Sequence, residues 1–290
     1  MAEEFFGIAP NDRVVVTKMK HIVEVQYMER MNNSCSIKKL DKDTYVNIDT
    51  GEIKEFNHIE TRQDSLNSLR QTFKKIRYLI NNNFEGRSNE LHVTLTYAEN
   101  MCDTKQLYTD LDKFVKRLKY KYKNVTTIDY MNVVEPQGRG AWHCHMLIRF
   151  NDLDSVFIKN EELAKIWGHG FITIKSLKDV DNIGAYLSAY LTDVELSEEN
   201  LFDAVSQGLE IKIVDDKKFV KGGRLHMYPP GMNLYRKSKG IEFPERQKTT
   251  YKDIKKVVGT TTPHYSKTYK IESDDFKNTI HFQQYNLKRM

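Results

Sequence analysis

Residues 141–148, Ala-Trp-His-Cys-His-Met-Leu-Ile, constrain the fold more than any other stretch of the chain. Strand side chains alternate between faces, so His143 and His145 share one face while Trp142, Cys144, Met146 and Ile148 form an apolar back. Residues 128–135, Ile-Asp-Tyr-Met-Asn-Val-Val-Glu, read as a preceding strand, and Pro136-Gln-Gly-Arg-Gly140 reads as a tight turn. Closing that hairpin sets Glu135 opposite Ala141 and Val133 opposite His143, which leaves Glu135 diagonal to His143 on the histidine face. A slip of one residue would send Glu135 to the back face. Two neutral imidazoles and a carboxylate suit a divalent cation with open positions, Mg²⁺ or Mn²⁺ in use, and ligand type alone does not exclude Zn²⁺. Taken alone, the pair is explained slightly better as histidines on a solvated strand face, with Glu135 a turn-edge carboxylate.

Further along, Ser176-Leu-Lys-Asp179 has the spacing of a capping box, and Val180 to Leu191 follows as a helix. Tyr186 and Tyr190 lie four apart, so they stack on one helical face with Cβ atoms roughly 5–6 Å apart. Ile183, Leu187 and Leu191 make the neighbouring apolar stripe, and Gly184 permits a close approach. Two readings are open for the tyrosines. They are amphipathic residues at the edge of a core with wet hydroxyls, or, beside a cation, phenols that act as nucleophiles.

Taken in order, Leu91-His-Val-Thr-Leu-Thr-Tyr97, Glu135 with Trp142-His-Cys-His145, and Ala185-Tyr-Leu-Ser-Ala-Tyr190 resemble the rolling-circle replication initiators, the His-hydrophobic-His endonucleases of plasmids and single-stranded DNA phages. The likeness covers roughly residues 88–195. Tyr45 to Lys54, Leu69 to Arg77 and Tyr228 to Tyr235 also resemble replication proteins of low-GC Gram-positive bacterial elements. The resemblance implies that His143, His145 and Glu135 are metal ligands, that Tyr186 is the first nucleophile and that Tyr190 is a second. It implies nicking of single-stranded DNA at an origin hairpin through a 5′-phosphotyrosine link, release of a 3′-hydroxyl, and rejoining at termination. A host helicase and polymerase are the implied partners. The family often carries a lysine three residues after the nucleophile; here those positions are Ala189 and Asp193, so the order of the tyrosines stays open. Trp167 to Lys175 fits the family's connecting strand, with His169 in a loop rather than a ligand. A transposase or mobilisation relaxase of the same fold, a non-catalytic origin-binding protein and a zinc hydrolase are the alternatives; no further ligands for the last are evident.

The whole chain has 290 residues and a formal net charge of +5, from 45 basic and 40 acidic residues, which only mildly favours a nucleic-acid partner. The basic residues are more telling where they cluster. Lys113 to Lys123 interleaves Lys113, Lys116 and Arg117 with aromatics. Its apolar residues recur at helical spacing, so a solvated helix face is the first reading and phosphate contact the second. Arg224 and Arg236 are candidate phosphate ligands in the tail, and Thr94 and Thr96 share a strand face with His92 and could line a DNA groove. Cys35, Cys102 and Cys144 form no metal spacing or disulfide framework, which favours a reducing compartment. With no signal peptide, membrane span or phosphate-binding G-x-x-x-x-G-K loop expected, the chain reads as a cytoplasmic protein of a bacterial host without a fused helicase.

Composition and periodicity predict an α+β fold, with a central antiparallel sheet, helices packed on one face and the metal and tyrosine site on the other. Three segments are expected. Residues 1–87 are β-rich with a hairpin turn at Asp49-Thr-Gly-Glu52 and an amphipathic helix over 62–84. Residues 88–195 are the nicking core, in the order strand, helix, strand, strand, helix, strand, helix. Residues 196–290 form an accessory extension, polar and partly mobile after Thr260.

Overall fold

Alternation in the central third of the chain builds a five-stranded antiparallel sheet. In the computed structural model, which describes residues 7–31, 36–41, 43–56, 66–137, 140–178, 180–192, 194–195, 211–214, 217–220, 227–229, 232–273 and 276–289, the chain forms two compact units, residues 65–244 and residues 1–64 with 245–290.

The sheet of the 65–244 unit contains β6 (Glu90–Tyr97), β7 (Ile128–Pro136), β8 (Trp142–Phe150), β9 (Gly170–Ser176) and β13 (Tyr235–Lys237), in the order β13-β7-β8-β6-β9. The histidine hairpin therefore lies at the middle of the sheet, as expected. One face carries Leu95, Tyr97, Cys144 and Phe150. It is covered by α2 (Thr104–Tyr122) and α3 (Asn160–Trp167). The Asp103 carboxylate caps α2 by accepting from the N–H groups of Lys105 and Gln106 at 2.7 and 3.2 Å. The Tyr97 hydroxyl donates to buried Asp110 at 3.1 Å, and the Trp167 indole donates to the Thr96 carbonyl at 3.1 Å. Phe114 meets Trp167 edge-on, and Tyr122 meets Phe150 in the same way.

Helices α1 (Leu66–Asn83) and α4 (Ile183–Thr192) lie over part of the opposite, histidine-bearing face. Arg149, on that face, donates to the Asn83 carbonyl at 2.6 Å and sits over the Phe84 ring, while Tyr186 of α4 meets His92. The α+β architecture is as expected, but helices occupy both faces, so the site shares its face with α1 and α4. The reason is the apolar stripes: Ile76, Leu79 and Ile80 of α1 and Ile183, Leu187 and Leu191 of α4 are all buried in the same core. Burying each such side chain contributes about 1.5–3 kcal/mol relative to leaving it exposed.

In the other unit, β1 (Arg13–Met19), β2 (Ile22–Met28), β14 (Arg246–Thr250), β15 (Tyr265–Ser273) and β16 (Phe276–Asn286) form a sheet in the order β14-β1-β2-β16-β15. The short helix α5 (Tyr251–Val258) buries Tyr251, Ile254 and Val258 against Val14, Val16, Val23, Val25 and Tyr285. A small sheet of β3 (Ile37–Lys39), β4 (Thr44–Asn47) and β5 (Ile53–Glu55) contains the expected turn, closed by an Asn47 N–H bond to the Glu52 carbonyl at 2.8 Å. Within residues 65–244, β10 (Val194–Glu195), β11 (Ile211–Val214) and β12 (Lys217–Val220) form a further three-stranded sheet.

These pairings redraw the three expected segments. The tail after Thr260, expected to be partly mobile, forms the β15–β16 hairpin, and β16 pairs directly with β2. The helix assigned to the first segment packs with α4, and β13 of the expected extension pairs with β7. Polar residues hide this in the sequence: Asn278, His281, Gln283, Gln284 and Asn286 of β16 are all buried.

Two carboxylates fix the connections of the 65–244 unit. Buried Glu90 accepts from the backbone N–H groups of Glu85, Gly86 and Arg87 at 2.8–3.1 Å, which anchors the link from α1 to β6. Asp129 accepts from Ser238 at 2.8 Å, Arg149 at 2.9 Å and Asn151 at 3.1 Å, so it pins the turn after β13 to β7. Burial alone would raise the Asp129 pKa. The hydrogen bonds from Ser238, Asn151 and Arg149, with the Arg149 charge, outweigh it and hold the carboxyl below its usual value of 3.8. A lowered folded-state pKa means that this stabilisation is present above the unfolded pKa and is lost as pH falls through the folded one. Asp129→Asn should therefore cost about 1–3 kcal/mol near neutrality. The gap in melting temperature from the native protein should narrow on acidification below pH ~4; a gap that stays constant through that range would show that ionised Asp129 does not hold the turn.

Candidate active site

The register of the hairpin decides which side chains meet. β7 pairs with β8 so that Glu135 faces His143, Val133 faces His145 and Pro136 faces Trp142. The sequence expectation placed Glu135 opposite Ala141, two residues away. The difference arises because Pro136 pairs within the ladder and the reversal is made by the residues after it, with the Gln137 N–H bonded to the Ala141 carbonyl at 2.8 Å and the Gly140 N–H to the Gln137 carbonyl at 2.9 Å. A shift of two preserves side-chain parity, so Glu135 stays on the histidine face. Across β6, Thr94 faces His145 and Thr96 faces His143, which adds His92, Thr94 and Thr96 to the same face.

His145 is the hub. Its Nε2 is hydrogen-bonded to Glu135 Oε2, and its Nδ1 lies 3.1 Å from His92 Nε2 and 3.4 Å from Thr94 Oγ1. The His92 and His145 rings are stacked 5.3 Å apart. Glu135, His145 and His92 are all buried, and burial pushes the imidazoles down, His92 to about 3 and His145 to about 4. The neighbouring Lys175 charge adds to both, and for His92 the His145 charge adds more than Lys175 does. Both rings are therefore neutral near pH 7, and the contact with Glu135 is a carboxylate–imidazole hydrogen bond rather than an ion pair. The arrangement fits a His145 Nε2–H donating to Glu135, with Nδ1 as the acceptor from His92 Nε2–H; His92 Nδ1 then has no hydrogen-bond partner.

The expected metal set is gathered on one face but not closed into a cage. Glu135 and His145 touch, while His143 is half-buried opposite Glu135. Among the described residues no group of three or more His, Cys, Asp or Glu side chains is arranged to hold a metal ion. The donors themselves, two imidazoles and a carboxylate on adjacent strands, fit a divalent cation.

Helix α4 delivers the tyrosines. Asn182 caps it, accepting from the Ala185 N–H at 3.0 Å, in place of the expected Ser176 box; Ser176 instead ends β9, and Asp179 lies outside the described residues. The Asn81 amide of α1 donates to Asn182 at 3.2 Å and accepts from the Gly184 N–H at 2.8 Å. The far end of the helix is held by Tyr228, whose hydroxyl is 2.8 Å from the Leu191 carbonyl and 3.2 Å from the Val134 carbonyl of β7. Tyr186 is thus placed edge-on to His92, ring centroids 6.1 Å apart. Tyr190 follows one turn later on α4, and its side chain lies outside the described residues.

Of the expected DNA contacts, Thr94 and Thr96 lie on the site's face. Lys113, Lys116 and Arg117 are exposed on α2, the helix that covers the opposite face, and Arg117 donates to the Trp167 carbonyl at 2.9 Å. Arg236 pairs with Asp112 at 3.1 Å and stacks 4.0 Å over the Tyr108 ring. Arg224 lies outside the described residues. His169 sits in the link between α3 and β9, 3.5 Å from Asp110, as a loop residue. Sequence reasoning placed His92 on the correct face without assigning it a role, and it overlooked the Asn81, Asn182 and Tyr228 clamps. It also missed Phe171, a 68% exposed aromatic that faces Thr96 from β9. Period-two alternation carried a usable signal for His92; nothing local marks Asn81 or Tyr228, whose partners are remote in sequence.

Residues 90–195 match the family model described as replication-associated protein ORF2. This stretch runs from β6 through α4 and contains Glu135, both strand histidines and both tyrosines. No curated protein and no solved structure matches the chain.

The close approach of α4 to α1 can be tested directly. A Cβ on Gly184 would come within 2.6 Å of Asn81 Oδ1 and 2.9 Å of Arg77 Cγ. Alanine is intrinsically the better helix former by about 1 kcal/mol, but Asn81 is buried and committed to Asn182 and Gly184. Gly184→Ala should therefore destabilise the protein by about 1–3 kcal/mol, the cost of overpacking. A melting temperature equal to or above that of the native protein would show that the helices are not locked at this contact.

Proposed function

We propose that the chain starts DNA replication by cutting one strand at an origin and holding the 5′ end on a tyrosine. The observation that carries this reading is the line Glu135–His145–His92–Tyr186, which sets a phenol beside a carboxylate and imidazole cluster within the stretch matched by the replication-associated family.

In this reading the Tyr186 oxygen attacks the scissile phosphorus. The bond to the 3′ oxygen breaks, a phosphotyrosine ester forms on the 5′ side, and the phenolic proton passes to solvent. The released 3′-hydroxyl serves a polymerase. Attack by a later 3′-hydroxyl on the ester rejoins the strand without ATP, and Tyr190 is the second acceptor that permits two transfers in one round. Glu135, His143 and His145 would hold a Mg²⁺ or Mn²⁺ ion, which when bound supplies charge neutralisation at the phosphate. Low pKa values leave both buried imidazoles neutral, so their nitrogen lone pairs are available as ligands. α4 is clamped at both ends, which fixes the phenol relative to the sheet and lowers the entropic cost of attack. Exposed Phe171 offers an aromatic surface on which a base beside the cut can stack.

The test is a denaturing gel of the protein with labelled single-stranded DNA carrying its replicon's origin hairpin, with Mn²⁺ and with EDTA. A covalent protein–DNA band is expected with Mn²⁺ only. It should be lost in the Tyr186→Phe/Tyr190→Phe double variant and fall by about tenfold or more in Glu135→Gln, on the scale of losing one metal contact. A band that persists in the double variant excludes the tyrosine mechanism. If a folded protein binds the hairpin without cutting it, the function is origin recognition alone.

A further inference from the structure

A groove of about 690 Å³ opens at the start of β7, away from the histidine cluster. Its walls come from the end of α2, the residues leading into β7, Asn151 after β8 and the turn after β13. Four lysines line it: Lys119, Lys123, Lys237 and Lys239. Among the described residues none of the four makes an ion pair, in contrast to Lys121 beside them, which pairs with Glu162. Lys119 lies 5.5 Å over the Tyr130 ring, Lys123 lies 4.3 Å over the Tyr120 ring, and Lys237 donates to the Ile241 carbonyl at 2.6 Å.

The one carboxylate in the lining is already committed. Asp129 accepts from Ser238, Asn151 and Arg149, and the Arg149 guanidinium compensates its charge. Gly240 packs so tightly on Asp129 that a Cβ there would collide with both carboxylate oxygens. Asp152 fixes the opposite wall by accepting from the N–H and hydroxyl of Thr127 at 2.7 and 3.0 Å. The floor is thus rigid and neutralised while the rim keeps four positive charges. Lysines near the C-terminus of α2 also favour that helix through its dipole, but this does not account for Lys237 and Lys239, which come from a different element.

We propose that this groove binds the phosphates of single-stranded DNA flanking the cut, with Tyr120, which is 71% exposed, as a stacking surface. This rests on the nicking reading and names a second contact zone for its substrate. Tyr130 precedes Glu135 on β7 by five residues, roughly 17 Å of strand. The groove therefore engages DNA beyond the nucleotides at the catalytic cluster.

The experiment measures binding of a fluorescent 30-nucleotide single strand by anisotropy in EDTA, from 50 to 200 mM salt, for the native protein and for Lys119→Gln/Lys123→Gln/Lys239→Gln. A duplex of the same sequence and a heptanucleotide spanning only the cut are run in parallel. Each phosphate contact on a single strand contributes about 0.7 to the salt slope, so losing three should lower it by about 2. The native protein should lose roughly twentyfold more affinity than the variant across that salt range. Adduct formation on the heptanucleotide should be unchanged. An unchanged slope in a variant of native melting temperature overturns the groove while leaving nicking intact. A slope lowered for the duplex but not for the single strand also overturns the single-strand assignment. Absence of any DNA binding and any adduct by the native protein overturns both readings together. If the triple variant melts early, Lys239→Glu alone, on an exposed turn, carries the same test.

Discussion

The hydrogen bond between His145 and Glu135 is the constraint on which the site depends. It joins the two central strands through side chains rather than backbone, in a buried setting. A buried carboxylate without a donor would cost several kcal/mol, so Glu135 must find a donor or a cation on this face. His145 meets that need and uses its other nitrogen to engage His92 on β6. Three adjacent elements of the sheet are thereby tied in one polar line, and the parity of β6, β7 and β8 cannot slip without breaking it. A divalent ion would compete for the same Glu135 oxygen and the same imidazole nitrogen. The observed pairing and the proposed ligation are thus alternative ways of satisfying one set of buried groups.

That polar line lies under helices because other buried polar groups hold those helices in place. Asn81 bridges α1 to the cap and first turn of α4, and Tyr228 bridges the end of α4 to β7. Glu90 and Asp129 do the same for the loops at the sheet's edges. Each of these groups is satisfied by backbone or by a committed partner, so the desolvation each suffers is offset. Apolar packing alone would place α4 against the sheet but leave its rotation loosely set. The directional bonds at both ends choose the rotation that turns Tyr186 toward His92.

Much of this was legible in the sequence, for reasons specific to the residues. The order of elements from 90 to 195 followed from strong alternation and helical stripes, and the shared face of Glu135, His143 and His145 survived a two-residue error in register because strand parity has a period of two. The cap of α4 was misplaced because Ser176 and Asp179 have capping-box spacing, whereas Asn182 is chosen by an amide 101 residues away. The domain boundaries were misplaced for the same reason on a larger scale. β16 carries its buried face as Asn, Gln and His, which a hydropathy pattern reads as solvent-exposed, and its partner β2 lies near the other end of the chain. Local pattern reports elements; it does not report which distant polar group satisfies them.

The same distinction governs the charges. The run from Lys113 to Lys123 looks uniform in sequence, yet its members have different fates. Arg117 is spent on a carbonyl of α3 and Lys121 on Glu162, while Lys119 and Lys123 turn toward the turn that follows β13. Arg236, which stands out in the tail as a lone cation, is committed to Asp112 and Tyr108, and it is its neighbours Lys237 and Lys239 that reach the groove. Net charge does not predict where an anion binds, because a cation paired with a carboxylate contributes little field at a distance. What matters is which positive groups from separate elements converge without a carboxylate between them. In this chain the committed Asp129 is what allows four lysines to do so.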